Sequence, residues 1–117
     1  MLFRSTSGYT PTIDVQRIRD IGDAVDVPLV LHGGSGTPED QMRLAIEAGI
    51  TKINVGTKLK RVFGDALVSV VAEGGDDPNL LFGSRETADV NVRAAAVLTA
   101  EVRRLMQVFG SSGKGGS

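Results

Sequence analysis

Two short strand patterns, each running into a turn that contains glycine and separated by a single helix pattern, restrict this chain more than any other feature. Leu29-Val30-Leu31 follows Pro28 and runs into His32-Gly33-Gly34-Ser35-Gly36, and Ile50 to Val55 runs into Gly56-Thr57. The first run shows no apolar and polar alternation, which fits a strand covered on both faces of a parallel sheet. The second is read as another buried strand. Between them Thr37 is placed as an N-cap, Pro38 in the first turn, Asp40 in capping-box position and Gly49 just past the end. A strand, a helix and a strand in this order predict a right-handed βαβ unit with the strands parallel.

The flanking segments read as helices. Asp14 can cap a helix whose apolar positions Val15, Ile18, Ile21, Ala24 and Val25 recur at three- and four-residue spacing. A helix from Lys58 places Leu59, Val62, Phe63, Ala66, Leu67, Val70 and Val71 on one stripe, with Gly74 to Pro78 ending it. A last helix from Glu86 to Phe109 turns Val90, Ala94, Val97, Leu98, Val102, Leu105 and Phe109 inward. Residues 1–10 read as an irregular start and residues 110–117 as a flexible Gly/Ser tail.

Composition narrows the function. The chain has 117 residues, enough for one domain but far short of the roughly 250 that a closed eight-stranded α/β barrel uses. Without cysteine there is no disulfide framework and no thiolate metal site, so a reducing, cytoplasmic setting is expected. Thirteen basic against fourteen acidic residues, with five aromatics, argue against a nucleic-acid partner. No apolar stretch approaches the length of a membrane span, so a membrane partner is not expected either.

In a parallel α/β sheet, ligands sit beyond the carboxyl ends of the strands. Two segments fall there: His32 to Gly36 and Asn54-Val55-Gly56-Thr57. Glycines lack Cβ, so backbone N–H groups can approach an anion closely, and Ser35 and Thr57 add hydroxyl donors. Glu39 and Asp40 follow the first loop, whereas Lys58, Lys60 and Arg61 follow the second, which is therefore the more electropositive cradle. The pattern leaves both phosphate binding and simple turn chemistry open, and a lone His32 leaves both a structural and a metal role open. No histidine follows Ser35 to serve as a base, and the Gly110 to Lys114 run lacks the spacing of a phosphate-binding loop.

The runs Val27 to Gly36 and Ala45 to Thr57 together resemble the class II, zinc-dependent ketose-bisphosphate aldolases, of fructose- and tagatose-bisphosphate type. The likeness extends back through Pro11-Thr12-Ile13-Asp14 and forward, more weakly, to Gly110. The resemblance implies a (β/α)8 barrel, here a partial one formed by the last two βα units and the C-terminal helices. In such an enzyme a zinc ion held by three histidines polarises the carbonyl of dihydroxyacetone phosphate, and an aspartate moves the proton in reversible aldol cleavage. By resemblance, His32 matches a zinc ligand. Gly33, Gly34 and Ser35 match one phosphate-contacting loop, and Asn54, Val55, Gly56 and Thr57 match the other. The position matching a second zinc histidine falls at Arg4, near Ser5, Thr6 and Ser7, and no catalytic aspartate matches within the chain. The expectation is a C-terminal aldolase segment, inactive alone, whose ligand is dihydroxyacetone phosphate or a ketose bisphosphate. Its partner is a complementary N-terminal fragment or a second copy. The competing expectation is a non-catalytic phosphate-binding or oligomerising module.

Overall fold

The computed structural model describes residues 10–73 and 75–115. The expected irregular start therefore lies, except for Thr10, outside the described residues, as do Gly74 and the end of the tail. The chain divides into two compact units, Met1–Asn54 and Val55–Ser117.

The first unit holds helix α1 (Val15–Ala24), strand β1 (Leu29–Leu31), a short 3-10 turn (Gly34–Gly36), helix α2 (Glu39–Ala48) and strand β2 (Ile50–Ile53). Asp14 caps α1 as expected, its carboxylate accepting the Arg17 N–H at 3.0 Å. The start of α2 differs from expectation. Pro38 occupies the N-cap position and makes no side-chain cap, while the Thr37 hydroxyl turns back to donate to the Gly33 carbonyl at 3.4 Å. Thr37 is held there because its own N–H closes the 3-10 turn on the Gly34 carbonyl. The helix stops where expected, at Gly49, whose φ of 125° lets its N–H reach back to the carbonyls of Ala45 and Ile46. Because an L side chain rarely adopts that backbone, Gly49→Ala is expected to cost about 1–3 kcal/mol in urea unfolding, although a Cβ there meets nothing.

The strands pair in parallel, with Leu29 opposite Ile50, Val30 opposite Lys52 and Leu31 opposite Ile53, and an irregularity between Leu29 and Val30. The Thr51 hydroxyl donates to the Leu29 carbonyl at 3.0 Å. Two expectations need correction. The regular part of β2 ends at Ile53 rather than Val55, and the strands are not covered on both faces: Val30 is 42% exposed and only Ile50 is buried. Among the described residues, α2 packs against β2, and α1 packs against α2. The unit's buried side chains are Met42, Ala45 and Ile50. Met42 and Ala45 lie three residues apart, on one helix face. The α1 stripe is at most half-buried, with Ile21 and Val25 exposed.

The second unit is helical: α3 (Thr57–Glu73), a one-turn α4 (Pro78–Leu81) and α5 (Val90–Val108). Val70, Leu81 and Val90 form its core, with Leu67 packed against them and Ala66, Ala94 and Leu105 also buried. Here too the sequence expectation shifts. The segment read as a terminator, Gly74 to Pro78, leads straight into α4, which begins at Pro78 and is capped by Asp77, whose carboxylate accepts the Asn79 N–H at 2.9 Å. The last helix starts at Val90 instead of Glu86, because Asp89 has an extended backbone with ψ 127° and caps the helix from there; further back, Arg85 adopts a positive φ of 61°. Val71, Val97 and Val102, placed inward by periodicity, are exposed. At the far end, the N–H groups of Ser111 and Ser112 both reach the Met106 carbonyl, closing the helix.

The structure shows a mixed helix and strand protein in which β1, α2, β2 and α3 follow one another and the two strands pair in parallel. Among the described residues, no helix is long and apolar enough to cross a membrane.

Candidate functional site

Of the residues singled out after β1 and β2, His32, Gly34 and Asn54 meet at one end of the sheet because Asn54 prolongs the strand pairing by one residue. Its N–H donates to the Leu31 carbonyl at 2.9 Å, and its carbonyl accepts the Gly34 N–H at 3.1 Å. Its side-chain amide nitrogen lies 3.2 Å from His32 Nδ1. One residue thus ties the end of β2 to the end of β1, to the histidine after it and to the loop beyond. The signal for this was present only as an asparagine following a strand; the clasp itself was not legible from spacing.

The first loop and the residue after it spend three backbone donors within the protein. Gly33 has a left-handed φ of 76°, which turns the chain sharply after His32. The Gly34 N–H goes to Asn54, the Gly36 N–H to the Gly33 carbonyl at 3.3 Å and the Thr37 N–H to the Gly34 carbonyl at 3.3 Å. Gly34 is buried, whereas His32, Gly33 and Gly36 are exposed and Ser35 is half-buried. The loop is thus a hydrogen-bonded turn beside an exposed imidazole.

The second stretch divides between the units. Asn54 closes the first, while Val55, Gly56 and Thr57 lead into α3 in the second. The Lys60 N–H bonds the Gly56 carbonyl at 3.0 Å, so the first turn of α3 begins at Gly56 and its N–H groups point along the helix start. Such a start carries partial positive charge that favours an anion. The neighbouring cations are partly engaged. Lys58 lies 3.4 Å from Glu101, which also receives two bonds from Arg104 at 3.0 and 2.8 Å. The Arg104 bonds, with help from Lys58, hold the Glu101 carboxyl below the usual carboxylate range.

A metal does not fit these residues alone. Among the described residues, no three His, Cys, Asp or Glu side chains gather in a group able to hold an ion, and catalytic zinc sites use about three protein ligands. His32 supplies at most one of them.

Fold and loops together describe an α/β protein with polar residues and glycines in the loops that follow its strands. The class is defined further by comparison. The model of the class-II fructose-bisphosphate aldolase family matches residues 4–114, so the chain belongs to that family. Among solved structures it is similar to the YdjI aldolase from Escherichia coli K12, with 31% identity and a TM-score of 0.70. That match covers 91% of this chain and 37% of the YdjI chain, so the present chain spans little more than a third of that relative.

Proposed function

We propose that this chain is the C-terminal segment of a class II ketose-bisphosphate aldolase and carries the last two βα units of a (β/α)8 barrel with its C-terminal helices. It takes part in reversible aldol cleavage to dihydroxyacetone phosphate and an aldehyde once the rest of the barrel is supplied. The observation that carries this reading is the Asn54 clasp, which sets His32, Gly33, Gly34 and Ser35 beside the end of β2. In the proposal Gly33, Gly34, Ser35, Asn54, Val55, Gly56 and Thr57 are the substrate phosphate-binding residues. Thr57 donates a hydroxyl and the α3 start supplies backbone donors. His32 is one zinc ligand. The sequence contains no other histidine, so further histidine ligands, like the proton-transfer aspartate, come from another polypeptide segment. The metal, when bound, polarises the substrate carbonyl. A cytoplasmic setting follows the absence of cysteine.

The test is complementation. The chain alone, supplied with zinc, is expected to show no cleavage of fructose or tagatose bisphosphate. The same chain joined to the N-terminal two-thirds of a family member is expected to cleave one of them. Folded joined proteins that all remain inactive would overturn the reading.

A second reading, a non-catalytic phosphate-binding or oligomerising module, is favoured by the apolar surface of the helical unit. A groove of about 340 Å³ is lined by Leu59, Lys60, Phe63, Leu98 and Val102, and Val68 is 72% exposed. It expects metal-independent calorimetric binding of dihydroxyacetone phosphate that is lost in Thr57→Ala and little changed in His32→Ala. Binding that disappears when zinc is removed rules it out.

A further inference from the structure

We propose that Glu101 is the resident counter-ion of Lys58 and sets how tightly the start of α3 holds a phosphate, the Lys58 ammonium being shared between this carboxylate and the phosphate. Gly56 and Thr57 are the phosphate-binding residues of the aldolase reading, on which this inference rests. Glu101 acts through Lys58 and is therefore a positioning residue.

Helices α3 and α5 run antiparallel, since Lys58 near the start of α3 lies 3.4 Å from Glu101, and Glu73 at the end of α3 lies 2.9 Å from Arg93 near the start of α5. The two pairs differ in their surroundings. The Glu101 and Lys58 side chains are 15% and 31% exposed, against 59% and 40% for Glu73 and Arg93, so water and salt screen the first pair less. Lys58 is the second residue of α3. Helical side chains lean towards the N-terminus, so its stem leans over the turn that begins with the exposed Gly56 and Thr57. Arg104, one turn along α5, donates to both Glu101 oxygens at 3.0 and 2.8 Å, which holds the carboxylate in place and ionised. A phosphate arriving at Thr57 thus competes with Glu101 for the ammonium, and the carboxylate charge opposes its approach.

The test is a titration of the full chain with inorganic phosphate at fixed ionic strength, read from the backbone N–H shifts of Thr57, Lys58 and Leu59 in a 15N–1H correlation spectrum. Glu101→Gln keeps the size and an oxygen for Arg104 but removes the charge. It is expected to tighten phosphate binding about two- to fivefold, the worth of a partly exposed ion pair. Lys58→Met is expected to weaken binding by a similar factor, and Glu101→Gln should bring no gain when Lys58→Met is also present. Glu86→Gln removes the same charge at an exposed residue that precedes α5, at the other end of the helix pair, and is expected to leave binding unchanged.

A carboxylate that only ties α5 to α3 predicts equal or weaker binding in Glu101→Gln, and that result overturns the proposal. So do an equal gain in Glu86→Gln, a gain that survives Lys58→Met, and an absence of phosphate-dependent shifts at the start of α3 in every chain. Unchanged affinity in Lys58→Met alone overturns it as well, which can be read even where Glu101→Gln fails to fold. The aldolase reading is judged by cleavage in the joined protein, which does not enter this titration, so the two can fail separately.

Discussion

Replacing Met42 with alanine is expected to destabilise the βαβ unit by about 2–5 kcal/mol, the range for emptying a large buried side chain. Met42 is 1% exposed and is the largest fully buried side chain described. Few other buried groups share its load: Ala45 adds one methyl group and Ile50 is the only buried residue of the two strands. Net stabilities of small domains are of similar size to this loss. Urea unfolding followed by far-ultraviolet circular dichroism should show the midpoint collapse or the transition vanish. A Met42→Leu chain, close in volume, should lose less than about 1.5 kcal/mol. Equal losses for both would show that the methionine makes no packed core.

The second large effect is expected at Asp89 in the helical unit. Its side chain is 2% exposed and accepts the Asn91 N–H and the Arg85 N–H, both at 2.9 Å. It thus caps α5 and holds the left-handed turn at Arg85. The Arg85 N–H bond, aided by those from the start of α5, keeps its carboxyl below the usual aspartate value. A depressed carboxylate contributes stability that is fully present above its unfolded value of about 4 and fades as pH falls through the folded value. Asp89→Ala should therefore lower the thermal midpoint by several degrees at neutral pH. The difference from wild type should shrink in strong acid, where the wild-type carboxyl is protonated. Thermal melts between neutral pH and pH about 2 provide the check; a difference that stays constant through acid would refute the capping role.

These two residues show what a sequence makes legible here. The βαβ order was readable because its signals are local: a proline before one strand, a glycine stop after one helix, apolar runs of strand length. The parallel pairing of Leu29 with Ile50 and the cap at Asp14 follow from those signals. Asp89 was not readable as a cap, because the pattern of Glu86 to Asp89 runs on into that of α5, and what breaks it is the extended backbone at Asp89 itself. One-turn α4 was hidden by its own turn-forming residues, Asp77 and Pro78, which serve a short helix as well as a loop. Apolar periodicity assigned Val71, Val97 and Val102 to a core because periodicity reports which face is apolar and not whether anything covers it. At the site, glycine content located both loops. Whether their N–H groups serve a ligand or the loop itself depends on the partners of Gly34, Gly36 and Thr37, which spacing does not encode.

The parallel pairing also bears on how the chain reaches its structure. Every strand contact in the βαβ unit joins residues about twenty apart, across a single helix, and topologies made of such near neighbours form quickly relative to those that pair distant segments. Parallel strands within large sheets are ordinarily slow to order, since loop closure precedes the contacts that reward it. Here the loop is short and largely helical, and Asn54 joins its two ends through Leu31 and Gly34. The unit therefore has the short sequence separations that favour rapid ordering.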